Sequence, residues 1–319
     1  MTRQALVGDI GGTNARFARV TPGEFDLHDI RTLPCADYAN LDEAVGAYLA
    51  GIDSEAPREA CLAFACPVHG EEIRMTNNPW GFAKSAMKQT LALDNFKVIN
   101  DFTAMALGLP HVDDRDLVRL GEGQSEASRT RLVIGPGTGL GMAGLAPSQR
   151  FWIPLPAEGG HVGFAPADDF EIALLQWFRT RYGRVSIERV LCGQGLLDIH
   201  NALCEFEDVA AQLTSPAEVT EAARQSSDIA HRAIMHFCRM LGRATGDAAL
   251  TLGARGGVYL CGGILPRILD FLEVSDFRAA FADKGRMSPY NAGIATWVVT
   301  AKWTGLLGAA EALHNEEVT

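Results

Sequence analysis

The sequence predicts an α/β protein of two domains with a cleft between them. Three observations lead there. The 319 residues amount to about twice a usual single-domain length. Short apolar runs alternate with helical periodicity in two series, separated by the polar stretch 111–116. Each series also contains a glycine-rich loop directly after an apolar run, at 8–14 and at 135–141.

The elements follow in order. Residues 5–9 read as a strand and 14–20 as its hairpin partner, while 41–49 have helical spacing. Residues 59–66 form a buried strand stopped by Pro67, 96–99 another strand, and 101–109 a short helix ended by Pro110. The second series starts with a strand at 131–134. Ser215-Pro216-Ala217-Glu218 opens the best-formed helix, with a capping serine, a proline at the first helical position and a glutamate where a capping box needs it. Ile229, Ala233, Phe237, Leu241 and Ala244 are read as continuing that same helix, and 258–260 as a late strand.

Composition narrows the function. The 28 basic against 39 acidic residues, net −11, with no run of four Lys/Arg, speak against a nucleic-acid partner. The longest uncharged stretch, 132–149, is broken by five glycines and two prolines, so no membrane span is expected. The first residues show no apolar signal-peptide core, and seven cysteines without a CxxC read as reduced, buried thiols, so a cytoplasmic protein is expected. No Gly-Lys pair exists, which excludes a Walker A loop, and HExxH and GxSxG are missing. Gly139-Leu-Gly141-Met-Ala-Gly144 matches GxGxxG, but Pro147 and the run 151–156 follow it where a dinucleotide site needs a helix.

The chemistry concentrates elsewhere. In Gly8-Asp9-Ile10-Gly11-Gly12-Thr13, a glycine turn leaves backbone amides accessible to a phosphate, and Thr13 adds a hydroxyl. Asp9 beside phosphates would be repulsive unless Mg²⁺ lies between, directly or through water; an ordinary Asp-containing hairpin is the alternative. Gly137-Thr138-Gly139 repeats the arrangement, and two such loops suggest a phosphate clamp. Gly262 and Gly263 end a late strand, where a flat ligand such as adenine fits. Asn100 and Asp101 stand at the carboxyl end of a strand, where open α/β sheets bind ligands. Asp101 suits a general base for a hydroxyl, or simply caps a helix beginning at Phe102. Glu158, His161 and Glu188 supply carboxylates and an imidazole able to read adjacent hydroxyls; a structural histidine and a surface charge are the alternatives.

The series GDIGGTNARF, MTNNPW, VINDFTAMA, GPGTGLG, LPAEGGHVGFAP, SIERVLCGQGL and GGVYLCGGILPR resembles the non-zinc bacterial glucokinase family, in order over nearly the whole chain. The resemblance implies an actin/hexokinase-like fold of two ribonuclease-H-like domains: a small one, 1–110, joined by 302–319, and a large one, 111–301. It implies ATP-dependent phosphorylation of D-glucose at the 6-hydroxyl, the first step of glycolysis, with Asp101 as base. Asn78, Asn100, Asp101, Glu158, His161 and Glu188 would bind the sugar, the glycine loops ATP, and Asp9 Mg²⁺ through water. A homodimer is also implied. Mannose, fructose or glucosamine kinases, and a sugar-sensing protein on the same scaffold, are the alternatives; the sensor usually prepends a DNA-binding segment, for which a first strand at Ala5 leaves no room. An actin-like nucleotide switch would not need Asn100-Asp101 together with Glu158 and His161. Two departures stand out: Trp303-Thr304 replaces a common Asn-Pro, and Cys192 and Gln194 stand where relatives often have Ser and Pro.

Overall fold

The computed structural model describes residues 4–52, 55–76 and 78–318; Asn77, inside the MTNNPW segment, lies outside the described residues. The chain forms two compact units: Met1–Asp116 with Leu145–Pro156 and Ala301–Thr319, and Leu117–Gly144 with Ala157–Thr300. The expected division after residue 110 therefore shifts to Asp116, and the segment 145–156 also falls in the first unit. The reason is local. His111 donates or accepts a 2.9 Å hydrogen bond with Glu311 and stacks on Phe25, which holds 111–116 against the first unit.

The first unit begins with β1 (Ala5–Ile10), β2 (Asn14–Val20), β3 (His28–Pro34), α1 (Leu41–Ala50) and β4 (Glu59–Phe64). The small hairpin β5 (Glu72–Arg74) and β6 (Gly81–Ala83), α2 (Lys84–Thr90), β7 (Asn95–Asn100) and α3 (Asp101–Gly108) follow. The main sheet runs β3-β2-β1-β4-β7. β1 pairs antiparallel with β2 and parallel with β4, which pairs parallel with β7. β1 is apolar and almost wholly buried, as a central strand must be, whereas β3 is mostly exposed and polar, as suits an edge. Leu6, Phe17, Tyr48, Leu62, Phe64 and Trp80 belong to its core.

The second unit contains β8 (Leu117–Leu120), β9 (Arg131–Pro136), the hairpin β10 (Leu140–Pro147) and β11 (Trp152–Ala157), then α4 (Asp169–Tyr182), α5 (Ile187–Val190) and α6 (Gly193–Phe206). The outer part of that hairpin is the piece grouped with the first unit. Then come α7 (Pro216–Arg224), α8 (Asp228–Leu252), β12 (Val258–Leu260), α9 (Leu269–Val274), α10 (Phe277–Ala282), α11 (Ser288–Ala292) and β13 (Thr296–Val299). Its sheet order, β11-β10-β9-β12-β13-β8, repeats the first sheet's arrangement and adds β8 at the edge. The expected single helix from Ser215 through Ala244 is two helices. Ser215 does cap α7, accepting from the Glu218 amide at 3.2 Å. But Ser226 takes a left-handed φ of 72°, and Ser227 caps α8 anew. Gln225-Ser226-Ser227 offers no apolar group to bury and two hydroxyls that compete for backbone, so the helix restarts.

The last helix, α12 (Thr304–His314), returns to the first unit and packs on α3. The approach is backbone to backbone: a Cβ at Gly308 would overlap the Ala104 carbonyl, and one at Gly108 would overlap that of Thr304. Lys97 of β7 donates to the carbonyls of Ala312, Asn315 and Val318 at 2.8, 3.0 and 2.6 Å, capping the carboxyl end of α12. Among the described residues, no helix is long and apolar enough to cross a membrane.

Two predictions follow from this packing. Gly308→Ala is expected to cost about 3 kcal/mol or more, because neither backbone can yield. Gly46→Ala, at an exposed position of α1 with no atom near the new methyl, is expected to stabilise by about 0.5–1 kcal/mol. Thermal melting should separate the two in opposite directions. Secondly, His236 stacks on Phe170, and burial, with Arg239 nearby, lowers its pKa to about 4 against a reference of 6.5. The unfolded chain takes up this proton more readily, so stability is expected to fall as pH drops from 6.5 to about 4. His236→Leu should flatten that part of the denaturation profile; an unchanged slope would contradict it.

Candidate active site

Within the first unit, the predicted residues collect where β1, β7 and the 72–82 hairpin end. Gly8 and Ile10 are buried in β1; a Cβ at Gly8 would lie 2.6 Å from Leu62, so this glycine serves the core. The accessible part of the loop is Gly11, Gly12 and Thr13, closed by a 3.0 Å bond from the Gly11 amide to the Asn14 carbonyl. The Asp9 carboxylate meets Arg16 at 3.1 Å and remains 24% exposed. Burial pushes the Asp9 carboxyl above its ordinary pKa, and Arg16 opposes that shift. Gly305 of α12 borders the same carboxylate; a Cβ there would stand 3.2 Å from Asp9 Cγ. The altered Trp303-Thr304 segment thus opens a helix that confines Asp9, with Thr304 itself buried.

Asn100, not Asp101, caps α3. Its Oδ1 accepts from the amides of Phe102 at 2.9 Å and Thr103 at 3.3 Å, while its Nδ2 donates to the Cys66 carbonyl at 3.4 Å. Asp101 is the first residue of the helix rather than the residue before it, which corrects the capping alternative. Its Oδ1 accepts from Phe102 N at 2.9 Å, and the side chain is half-buried. Asn78 accepts from the Trp80 amide at 2.6 Å, and its buried Nδ2 has no hydrogen-bond partner among the described residues. It lines a cavity of about 450 Å³ along the β5–β6 hairpin. A buried amide without a partner favours an incoming acceptor.

Within the second unit, the 137–139 turn follows β9, with Gly137 N donating to Gly139 O at 2.7 Å. Space is open beside Gly137 and Gly263, as a ligand approaching backbone requires, and Gly262, at φ 97°, packs against the Pro136 carbonyl. The second and third glycine clusters therefore adjoin. The GxGxxG match lies in strand β10, not at a helix start. Glu158 is exposed and leads into a turn, Gly159–His161, that is stitched to the segment before α5. Ile187 N donates to Val162 O at 2.9 Å, and Phe164 N to Val185 O at 3.1 Å. This stitching sets His161 Nδ1 3.8 Å from Glu188 Oε1, with the two side chains 60% and 29% exposed. Neither histidine nor glutamate is a buried structural group here. Glu188 Oε2 accepts from the Leu140 amide at 2.9 Å.

Arg16, Gly305 and Leu140 were not singled out from the sequence. Arg16 had a signal: hairpin register puts it directly opposite Asp9. Gly305 and Leu140 act through contacts distant along the chain, which leave no local pattern.

The chain matches the glucokinase family model over residues 6–316. It is 64% identical to a glucokinase of Chromohalobacter salexigens over 319 residues, covering 100% of both chains. It is 58% identical to a glucokinase of Hahella chejuensis, covering 98% of each. Among solved structures, a glucokinase from an Antarctic psychrotroph superposes with a TM-score of 0.89 at 36% identity, covering 99% of this chain and 100% of that one.

The Cys192 departure has a structural answer. Its thiol caps α6, accepting from Gly195 N at 3.3 Å, the task a serine hydroxyl performs. Gln194 follows in the first turn, where a proline would also be tolerated, and donates to Asp198 at 2.8 Å. Cys192→Ser is expected to stay within about 1 kcal/mol of the parent, whereas Cys192→Val, which deletes the acceptor, should cost about 1 kcal/mol or more in denaturant unfolding.

Proposed function

The chain belongs to the glucokinase family, and from that premise we propose that it transfers the γ-phosphoryl group of ATP to the 6-hydroxyl of D-glucose, giving glucose 6-phosphate and ADP. The observation that carries the residue assignment is the pair at the start of α3: Asn100 closes the helix and Asp101 stands at its first position. A carboxylate ionised at neutral pH, held by a capped helix end, can accept the proton of an attacking alcohol. The reading assigns Asp101 that role. Asn78, Asn100, Glu158, His161 and Glu188 bind sugar hydroxyls, with carboxylates accepting and the Asn78 amide donating.

The turns at Gly11–Thr13 and Gly137–Gly139 take the polyphosphate through amides other than those of Gly11 and Gly137, which close the turns themselves, and the open ground at Gly263 takes the base. Glycine makes these approaches possible because no Cβ intervenes. Among the described residues, no cluster of three or more His, Cys, Asp or Glu could cage a metal. Mg²⁺ prefers to keep waters and share phosphate oxygens, so Asp9, accessible and charge-balanced by Arg16, fits as its protein carboxylate through water. When bound, the ion would neutralise phosphate charge.

Asp101→Ala is expected to lower kcat at least ~10²-fold with the fold intact. A coupled assay of ADP release with ATP, Mg²⁺ and a panel of hexoses measures this. It also tests the substrate: glucose should give the highest kcat/KM, ahead of mannose, fructose and glucosamine. Near-normal turnover by a folded Asp101→Ala protein would remove the base assignment, and absence of sugar-dependent ADP release would remove the kinase reading.

A further inference from the structure

We propose that Glu188 is the positioning residue that couples sugar binding to nucleotide binding, by joining the sugar-reading cluster to the 137–139 phosphate loop through one carboxylate. The inference rests on the functional reading above and adds a link between its two ligand sites. The carboxylate has two ends with different duties. Oε1 lies 3.8 Å from His161 Nδ1, on the side assigned to the sugar. Oε2 accepts the 2.9 Å hydrogen bond from Leu140 N, the amide directly after the loop. The same oxygen occupies the place where a side chain on Gly139 would begin. Glycine is required there because Glu188 fills the space.

Leu140 is held from its other side as well. Its carbonyl lies against Gly160, in the turn between Glu158 and His161, so closely that a Cβ on Gly160 would overlap it. The loop has a third tie: Gly193 N, at the start of α6, donates to Gly137 O at 2.9 Å. α5, which carries Glu188, leads directly into α6. A sugar hydroxyl donating to Oε1 fixes the carboxylate plane. The Leu140 amide and the Gly139 peptide are then fixed with it, and a nucleotide meets a loop already in its bound form. By linkage, a bound nucleotide tightens the sugar by the same factor.

The test is a thermodynamic cycle. Glucose is titrated calorimetrically in the presence and absence of saturating Mg²⁺ and a non-hydrolysable ATP analogue, on the parent protein, Glu188→Ala and Gly139→Ala, each checked for folding by thermal melting. In the parent, the analogue should tighten glucose roughly fivefold or more. Glu188→Ala should weaken glucose under both conditions and bring that ratio to within about twofold of unity. Gly139→Ala keeps the carboxylate but displaces it from Leu140, and should also abolish the ratio; it decides the matter if Glu188→Ala does not fold or binds too weakly to measure. A residue that merely touches sugar or merely supports the fold would leave the ratio unchanged. A ratio of unity in the parent, or a parental ratio in either folded variant, overturns the inference while leaving the kinase reading standing. Failure of the parent to bind glucose or the analogue overturns both.

Discussion

The carbonyl of Ala104 lying against the backbone of Gly308 is the contact on which the proposed site in the first unit depends. It sets how closely α12 approaches α3, and α3 carries Asp101 on its first turn. The same α12 places Gly305 beside Asp9 and presents its carboxyl end to Lys97 of β7, the strand that leads into Asn100. Lys97 is partly buried, and desolvation lowers its pKa; it nevertheless finds three carbonyl acceptors. A close helix contact thus positions the aspartate assigned as base, the aspartate assigned to the metal and the end of the strand that leads into Asn100.

The second unit solves the same problem with a strand in place of a helix. Leu140, the first residue of β10, is gripped at its amide by Glu188 and at its carbonyl by the Gly160 turn. Both units therefore use glycine less for flexible movement than for close approach. Small residues let backbone or carboxylate occupy space that any side chain would fill, and the groups held this way are the ones proposed to face the ligands. The two sheets carry this out on the same ribonuclease-H-like strand order, so the actin/hexokinase-like fold provides two equivalent strand-end loops.

Much of this was legible in the sequence where the signal is local. Strand–glycine–strand punctuation located both glycine turns at their strand ends, and Ser215-Pro216-x-Glu218 located a helix start to the residue. What escaped was competition between neighbours and contact across the chain. Asn100 and Asp101 are both good caps, and Asn100 takes the role because its backbone is still extended, at φ −72° and ψ 151°, while Asp101 already belongs to the helix. Ser227 outcompetes helix continuation because a second hydroxyl cap is available, and apolar spacing alone reads through it. The return of 145–156 and the Gly108–Thr304 contact join residues that no window along the chain sees together. The motif series resembled one family strongly enough to carry the activity; the wiring of Glu188 to Leu140 needed coordinates.

The discontinuity of the first unit bears on how the protein is made. On a ribosome, Lys97 leaves the exit tunnel long before Ala312, 215 residues downstream, which it will hold. The whole of the second unit is translated in that interval and can fold first. Until α12 arrives, α3 has an uncovered face and the nascent protein carries an unfinished half. A chain stalled or clipped before residue 304 would leave that face open to chaperones and proteases.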